Sequence, residues 1–579
     1  MVVLPNGQVP PDGKYDMKFS LWNIVSGGSE GANEKWEETH SVDNGVNLVK
    51  GRFSVQLGGI TPFPADLFIK NPNIWLQVQV DLNKNGFEDS EIFLPRVPFT
   101  SAPYAFQADN ATTATNATHA TDVLRIVRDF VVDSGESITA GDVVSFINGK
   151  VRKGANKIGY DSERVFNSAN TWYISAAALS DTKFIVAYQD YANLFYGTAI
   201  VGTVSGSTIT FGSEYVFNSA TTWYTSVAGL SDSKFVVAYC DVGNSYYGTA
   251  IVGTVSGSTI SYGSEYIFNS ASNDSISAAA LSDSKFVVAY RDWGNLSYGT
   301  AIVGTVSGST ITFGSEYVFN SADNDYISAT ALSDSKFVVA YRDVGNSKYG
   351  TAVVGTVTGS TITFGSGYVF NSADNNYISA TALSDSKFVV AYRDMGNSNY
   401  GTAIVGTVSG STITFGSGYV FNSASNDYIS ATALSDSKFV VAYRDEGNSN
   451  YGTAVVGTVT GSTITYGSGY VCNNADTYFI SVVALSDTKF VVAYYDGGNS
   501  AYGTAIIGDF SEPFGLADGS ASDGQYLPVI LHGISDNHSG LTLGASYYGK
   551  PDGSLTRTRN AFRIGLAVST TELLLELGR

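Results

Sequence analysis

The 579-residue sequence holds two cysteines and four histidines, and each scarcity removes a kind of chemistry. Cys240 and Cys472 fall at different points of a repeated pattern, on different expected strands. No disulfide is therefore expected, and both read as inert, packed thiols. His40, His119, His532 and His538 all lie outside the repeats, so neither a Ser-His-Asp nor a Cys-His arrangement can be assembled there. No His/Cys cluster has zinc spacing. Positive charge is also scarce: 32 Lys and Arg stand against 52 Asp and Glu, a formal charge of −20. That balance argues against nucleic acid or an anionic membrane surface as a partner. No apolar run reaches the roughly 18 residues that a membrane-spanning helix needs, so no membrane insertion is expected. The opening MVVLPNGQVPPDGKYD lacks the basic and apolar regions of a signal peptide, so either one has been removed or assembly is intracellular. Helical periodicity is missing from the repeats, which excludes a helical solenoid and a strand-loop-helix phosphate cradle.

What is present is repetition. Phe166 returns as Phe217, Phe268, Phe319, Phe370 and Phe421, then as Cys472, each 51 residues on. Asp190, Asp241, Asp292, Asp343, Asp394, Asp445 and Asp496 keep the same step, giving seven copies. A fixed period of about this length marks a solenoid, propeller or array. Within one copy the pattern predicts four strands: Ile327–Leu332, Phe337–Arg342, Gly350–Val357 and Thr361–Phe370. The first uses small residues, as a crowded inner strand would. The second and third, FVVAY and AVVGTV, are apolar throughout and so expected to be buried on both faces. Radial four-stranded units of this kind are propeller blades.

Ring closure follows from the ends. The seventh copy loses its fourth strand after Gly508, while Asn156–Phe166 aligns with Ser207–Phe217 one step later. The N-terminal segment is thus expected to complete the last blade and leave no open edge. The expected class is all-β: a seven-bladed β-propeller over 156–510, closed by an N-terminal strand. It is inserted in a small β domain formed by 123–155 and 511–579, because ring closure brings both ends together. A separate N-terminal β domain (1–100) and an Ala-rich stem (101–122) precede it. In the stem, Ala recurs every third residue from Ala102 to Ala120. That period suits an extended three-per-turn stem packing identical chains, a homotrimer, better than a helix. The alternative is a flexible linker. Asn110 and Asn116 head glycosylation sequons.

Two kinds of candidate site emerge. In DLNKNGFED, the residues Asp81, Asn83, Asn85 and Asp89 with Gly86 have the oxygen ligands and sharp turn of a calcium loop. Position twelve is Ile92 rather than Glu, and an Asn-Gly hairpin turn is the plainer reading. No cofactor is expected other than Ca2+ at this loop. The second candidate is the end of the ring carrying the two longer connections, FNSADNDY and YRDVGNSKYG, where the copies differ most. Trp172, Tyr173, Tyr191, Trp223, Tyr224 and Trp293 crowd the first three copies there, with Arg342 and Asp343 at the following polar positions. Flat rings with a few polar groups suit sugars. The Tyr188, Tyr239, Tyr290 series reads as core. Arg342 beside Asp343 is expected to form an ion pair or turn bond, and Asp334 in LSDSK to bond its own turn. No lone pair of acids marks a catalytic centre.

The segments GKYDMKFSLWN, GRFSVQLGG and LPRVPFTSAPYAFQADNAT resemble the leading domain and stem of bacterial surface and phage tail-fibre-like proteins. SGLTLGASYYGKPDGSLTRT is similar to terminal domains of fibre proteins, and the repeat resembles those of uncharacterised extracellular propeller proteins. The resemblance implies a trimeric appendage or adhesin on a cell or virion surface, and carries no catalytic residues. The expected function is non-catalytic recognition of a surface glycan or receptor. The alternatives are a filament subunit with a decorating propeller, and a propeller glycosidase or lyase.

Overall fold

The computed structural model describes residues 10–98 and 126–575, each with short interruptions, and 157–511 without a break. The stem thus lies outside the described residues. Among those described, the chain is nearly all β, with one four-residue helix, Leu67–Lys70, and single-turn 3-10 segments such as Val344–Asn346. The chain divides into two units, 1–121 and 122–579.

The first unit is a five-stranded antiparallel sheet. Its central strand, Gly13–Trp22, pairs with Glu34–His40, Val46–Leu48 and Trp75–Asp81. Trp75–Asp81 in turn pairs with Ile92–Pro98. Alternation along KYDMKFSLW puts Met17, Phe19 and Leu21 on one face, where they pack on Trp36, Leu48 and Val80.

In the second unit, the strands from Lys157–Tyr160 to Tyr502–Ser511 form a single closed antiparallel circuit. It is convenient to number the copies 1 to 7, beginning at residues 164, 215, 266, 317, 368, 419 and 470. Copy 4 contains Tyr317–Ser333, Lys336–Asp343, Tyr349–Thr358 and Thr361–Phe364. The second and third strands lie where the pattern predicts. The first is longer than expected, and the supposed loop FNSADNDY is part of it. Its outer half pairs with the third strand of copy 3, Tyr317 opposite Ala301 and Asp323 opposite Tyr298. Its inner half pairs with the second strand of its own copy, Asn324 opposite Asp343 and Ala331 opposite Phe337. One strand therefore stitches two copies together, with a register shift between Asp325 and Ser328 where it changes partner.

The same stitch closes the circuit. Arg164–Ser180 pairs with Tyr502–Ser511, and Lys157–Tyr160 lies along the far half of that strand. Phe337, Val338, Val339 and Ala340 are all fully buried, as a strand covered on both faces requires. The core is a series of layers between neighbouring copies: Val287, Ala289 and Val303 of copy 3 pack on Ile327, Phe337 and Val339 of copy 4. The glycine in VVGTV has a packing reason. A Cβ on Gly355 would run into the Phe337 ring, and the same holds for Gly202 and Phe184.

Strands flanking the circuit share one further sheet. Val143–Ile147 pairs with Pro513–Ala517, and Ile126–Val131 with Tyr526–Ser535, so segments from both sides of the repeats are hydrogen-bonded. Both cysteines are free and buried.

Candidate functional site

The two longer connections meet at one end of each copy because they are cross-strand partners: Trp172 faces Gln189, Asp325 faces Arg342 and Asp427 faces Arg444. One residue further on, each copy carries a non-glycine residue at positive φ: Tyr173, Tyr224, Ser275, Tyr326, Tyr377, Tyr428 and Phe479, all between 47° and 52°. Left-handed backbone breaks the strand alternation there and costs an ordinary residue about 1–2 kcal/mol. It turns the six aromatic side chains among them into one inner circuit. Phe479 lies 5.5 Å from Tyr173 and 5.3 Å from Tyr428, centroid to centroid. Tyr173 to Tyr224 is 5.2 Å, Tyr428 to Tyr377 5.3 Å, and Tyr377 to Tyr326 5.4 Å. The circuit is interrupted once, between Tyr224 and Tyr326, where Ser275 stands.

Outside this circuit the face has two halves. In copies 7, 1 and 2 it is aromatic. Trp172 packs on Tyr191, Phe195 and Phe479, Trp223 on Tyr246, and Tyr478 edge-on against Tyr495. In copies 3 to 6 it is an arginine relay. Arg342 holds Asp325 through two bonds of 2.6 Å and reaches Asp374 and Asn376 of copy 5 at 3.2 and 2.6 Å. Arg444 reaches Asp427 at 3.2 Å and Asp476 at 2.9 Å, and Arg393 bonds Asp427 from the other side. Each guanidinium thus bridges neighbouring copies in a half-dry setting, where paired charges matter more than at the surface.

Titration follows that burial. Desolvation, then the Glu446 carboxylate beside it, pushes the Asp427 carboxyl up despite Arg393 and Arg444. Burial, then Asp274, raises the Tyr224 hydroxyl to about 12. Burial, then Asp241 and Asp274, raises the Cys240 thiol to about 12, so neither group ionises near neutrality.

Of the residues singled out in the sequence, Trp172, Tyr173, Tyr191, Trp223 and Tyr224 are brought together in the aromatic half. Trp293 stands apart in copy 3, half-exposed on a turn. Arg342 does not form an ion pair with Asp343, but the turn bond expected of Asp343 is there. Asp343 accepts from Asn320 Nδ2 at 3.1 Å and Asn346 N at 3.2 Å, while Arg342 turns to strand partners on either side. The turn at Asp334 is bonded by its neighbour: Ser333 Oγ accepts from Ser335 N at 3.4 Å. Tyr188, Tyr239 and Tyr290 are core, each hydroxyl donating to a glutamate, as Tyr188 does to Glu214 at 2.7 Å.

In the first unit, Asp81 takes two backbone bonds, from Asn85 N at 3.2 Å and Gly86 N at 3.1 Å, and Asn83 Oδ1 also accepts from Asn85 N. These bonds shape the turn, with Gly86 at φ 102°. Asp89 lies outside the described residues, and among those described no acidic, His or Cys group forms a metal cluster.

The arginine relay and the Ser275 gap were not singled out beforehand. The gap was visible in the copies, since Ser275 alone breaks a series of Tyr and Phe. The relay was not, because its partners sit 17 and 32 residues away, a spacing set by strand register.

Residues 2–96 match the model of a domain of unknown function, DUF8740. No curated protein matches the chain. Among solved structures, AofleA from Arthrobotrys oligospora is 11% identical over 58% of this chain and 95% of its own, with a TM-score of 0.36. A protein of unknown function from Dyadobacter fermentans is 11% identical over 61% of this chain and 99% of its own, at 0.37. Scores at this level say nothing about ligand or activity. None of these matches supports the tail-fibre resemblance of the flanking segments.

Proposed function

We propose that residues 156–510 are a seven-bladed β-propeller, one blade per copy, inserted in a β domain made of 123–155 and 511–579. Its long-connection face is a non-catalytic recognition surface for glycans. The observation that supports this most is the aromatic half of that face. Where the relay stops, at Tyr495, Gln189 and Cys240, the cross-strand partners become Tyr478, Trp172 and Trp223. Side chains there exchange a charge network for ring faces, which stack on the apolar faces of pyranoses.

Most carboxylates of the face are engaged with arginines or turn amides, as Asp325 is with Arg342 and Asp343 with Asn346 N. Asp427 and Glu446 both lie against the same guanidinium, Arg444, at 3.2 and 3.6 Å, so they are spent on an ion pair rather than set apart across a bond to be cleaved. The proposal extends to display on a cell or particle surface, with self-association through residues 101–122.

The test is a glycan array with the full chain and its Trp172→Ala and Trp223→Ala variants, alongside circular-dichroism melts. Loss of binding with a retained melt supports the reading. Wild-type binding by both variants, or turnover of nitrophenyl glycosides by the wild type, overturns it.

A further inference from the structure

Three departures from the repeat coincide in copy 3. Ser275 replaces the aromatic residue of the inner circuit. Trp293 is the one tryptophan on the turn after the second strand, and it is 50% exposed, with Leu296 beside it 75% exposed. The indole is held from two sides: Nε1 donates to Asp274 Oδ2 at 3.0 Å, and the Arg291 guanidinium covers one ring face at 4.2 Å. A ring fixed in this way, with half its area in water, is a preorganised stacking platform.

The third departure is an incomplete polar network. Arg291 Nε is buried and without a hydrogen-bond partner, while the Asp274 carboxylate beside it is drawn on by the Ser275 hydroxyl and the Trp293 indole. In copies 4 and 6 the matching Nε atoms are bonded, Arg342 to Asp325 at 2.6 Å and Arg444 to Asp476 at 2.9 Å. Arg393 Nε is also unbonded, but the inner circuit beside it is filled by Tyr377. A buried donor left unpaired next to a gap indicates a place that a water or a ligand hydroxyl completes.

The geometry points to the gap at Ser275, between Tyr224 and Tyr326, as a subsite for a single neutral hexopyranose. The sugar stacks on the open face of Trp293 and sets hydroxyls against the Asp274–Arg291 pair. This rests on the recognition reading above and names its ligand class. Neutrality follows from the local charge: Asp274 and Asp323 both lie against the single Arg291, at 3.8 and 2.7 Å, leaving acid in excess. Burial raises the Asp274 carboxyl, while Trp293, Arg291 and Ser275 draw it back. A uronic or sialic acid would bring one more negative charge to this place.

The probes are the methyl glycosides of glucose, galactose, mannose and fucose, with methyl glucuronide and methyl sialoside as acidic counterparts. They are titrated into the full chain by calorimetry and by Trp fluorescence. Ser275→Tyr restores what most copies carry, so it fills the gap while keeping the fold, which a melt checks. Ser275→Tyr and Trp293→Ala are each expected to weaken binding of a neutral glycoside by about tenfold or more. Trp172→Ala separates this subsite from the wider aromatic face. Undiminished binding by Ser275→Tyr overturns the subsite, and the recognition reading then stands only if Trp172→Ala loses binding. Preference for an acidic glycoside overturns the neutral assignment. Absence of saturable binding up to roughly 10 mM for all six probes overturns subsite and recognition reading together.

Discussion

Ser481 Oγ accepts a hydrogen bond from the backbone N–H of Ala176 at 2.9 Å, across 305 residues of sequence. The same bond joins every adjacent pair of copies at a spacing of 52: Ser175 with Val227, Ser226 with Ala278, Ser277 with Ala329, and so on to Ser430 with Val482. A belt of seven identical side-chain-to-backbone bonds thus runs round the inner strands, and the seam between copies 7 and 1 has the same bond as the rest.

Because the donor is a part-buried backbone N–H, Ser481→Ala leaves it unsatisfied and should cost about 1–3 kcal/mol. Ser328→Ala should cost the same. Urea unfolding followed by tyrosine fluorescence checks this. A seam variant much milder than the internal one would mean that the belt is open at its ends. Deletion of 157–160 should be worse than either, since it uncovers the outer half of Tyr502–Ser511 and creates an edge open to aggregation.

Cys472 marks the one copy whose outer aromatic layer is thinned. Elsewhere a phenylalanine at this position rests on the following tyrosine, as Phe421 does on Tyr443 at 5.1 Å, and against Tyr466 at 6.0 Å. Copy 7 keeps the equivalents, Tyr494 and Tyr160, both packed around Cys472. Cys472→Phe should therefore be accommodated and raise stability by about 0.5–2 kcal/mol. A lower melting temperature would show that the neighbours have closed over the smaller side chain.

How much of this was legible beforehand depends on distance along the chain. Everything with the 51-residue step could be read: the copies, the apolar second and third strands, the closing segment before Phe166, and the variable residues Trp172, Trp223 and Trp293. Local chemistry misled where a strand partner overrode it. Arg342 has Asp343 next in sequence, yet its fork fits Asp325 across the strand, because neighbours along a strand point to opposite faces. FNSADNDY looks like a loop by its Asn, Ser and Asp, but Tyr317–Ser333 keeps it extended by pairing with two copies in turn. The left-handed Tyr326 series had no signal at all, since tyrosine is not a residue that turn chemistry would place there.

Arg342→Lys tests whether the relay depends on shape or on charge. A lysine keeps the charge but cannot hold Asp325 through two bonds and also reach Asp374 and Asn376. A loss of about 2 kcal/mol is expected, with little relief from salt, because the side chain is only 15% exposed. Full retention of stability in the lysine variant would reduce the relay to ordinary surface charge.

The first unit has a separate charge device with a defined pH dependence. The Glu38 carboxylate is buried and accepts backbone N–H bonds from Gly58, Ile60 and Thr61 at 3.0, 3.0 and 2.8 Å, with His40 Nε2 at 2.7 Å. Burial alone would push its pKa up. The bonds from Thr61, His40 and Ile60 outweigh this and hold it below the usual glutamate value. A folded-state pKa below the unfolded one contributes stability above roughly pH 4.3, and that contribution is lost as pH falls through the folded value. Glu38→Gln removes the charge while keeping the size, so it should cost about 1.5–3 kcal/mol at neutral pH. The gap between variant and wild type should narrow steadily as the solution is acidified below about pH 4. Hydrogen exchange along 34–61 in the full chain reports this unit without interference from the repeats. A gap of the same size at neutral pH and at pH 3 would mean that Glu38 matters for its shape and not for its charge.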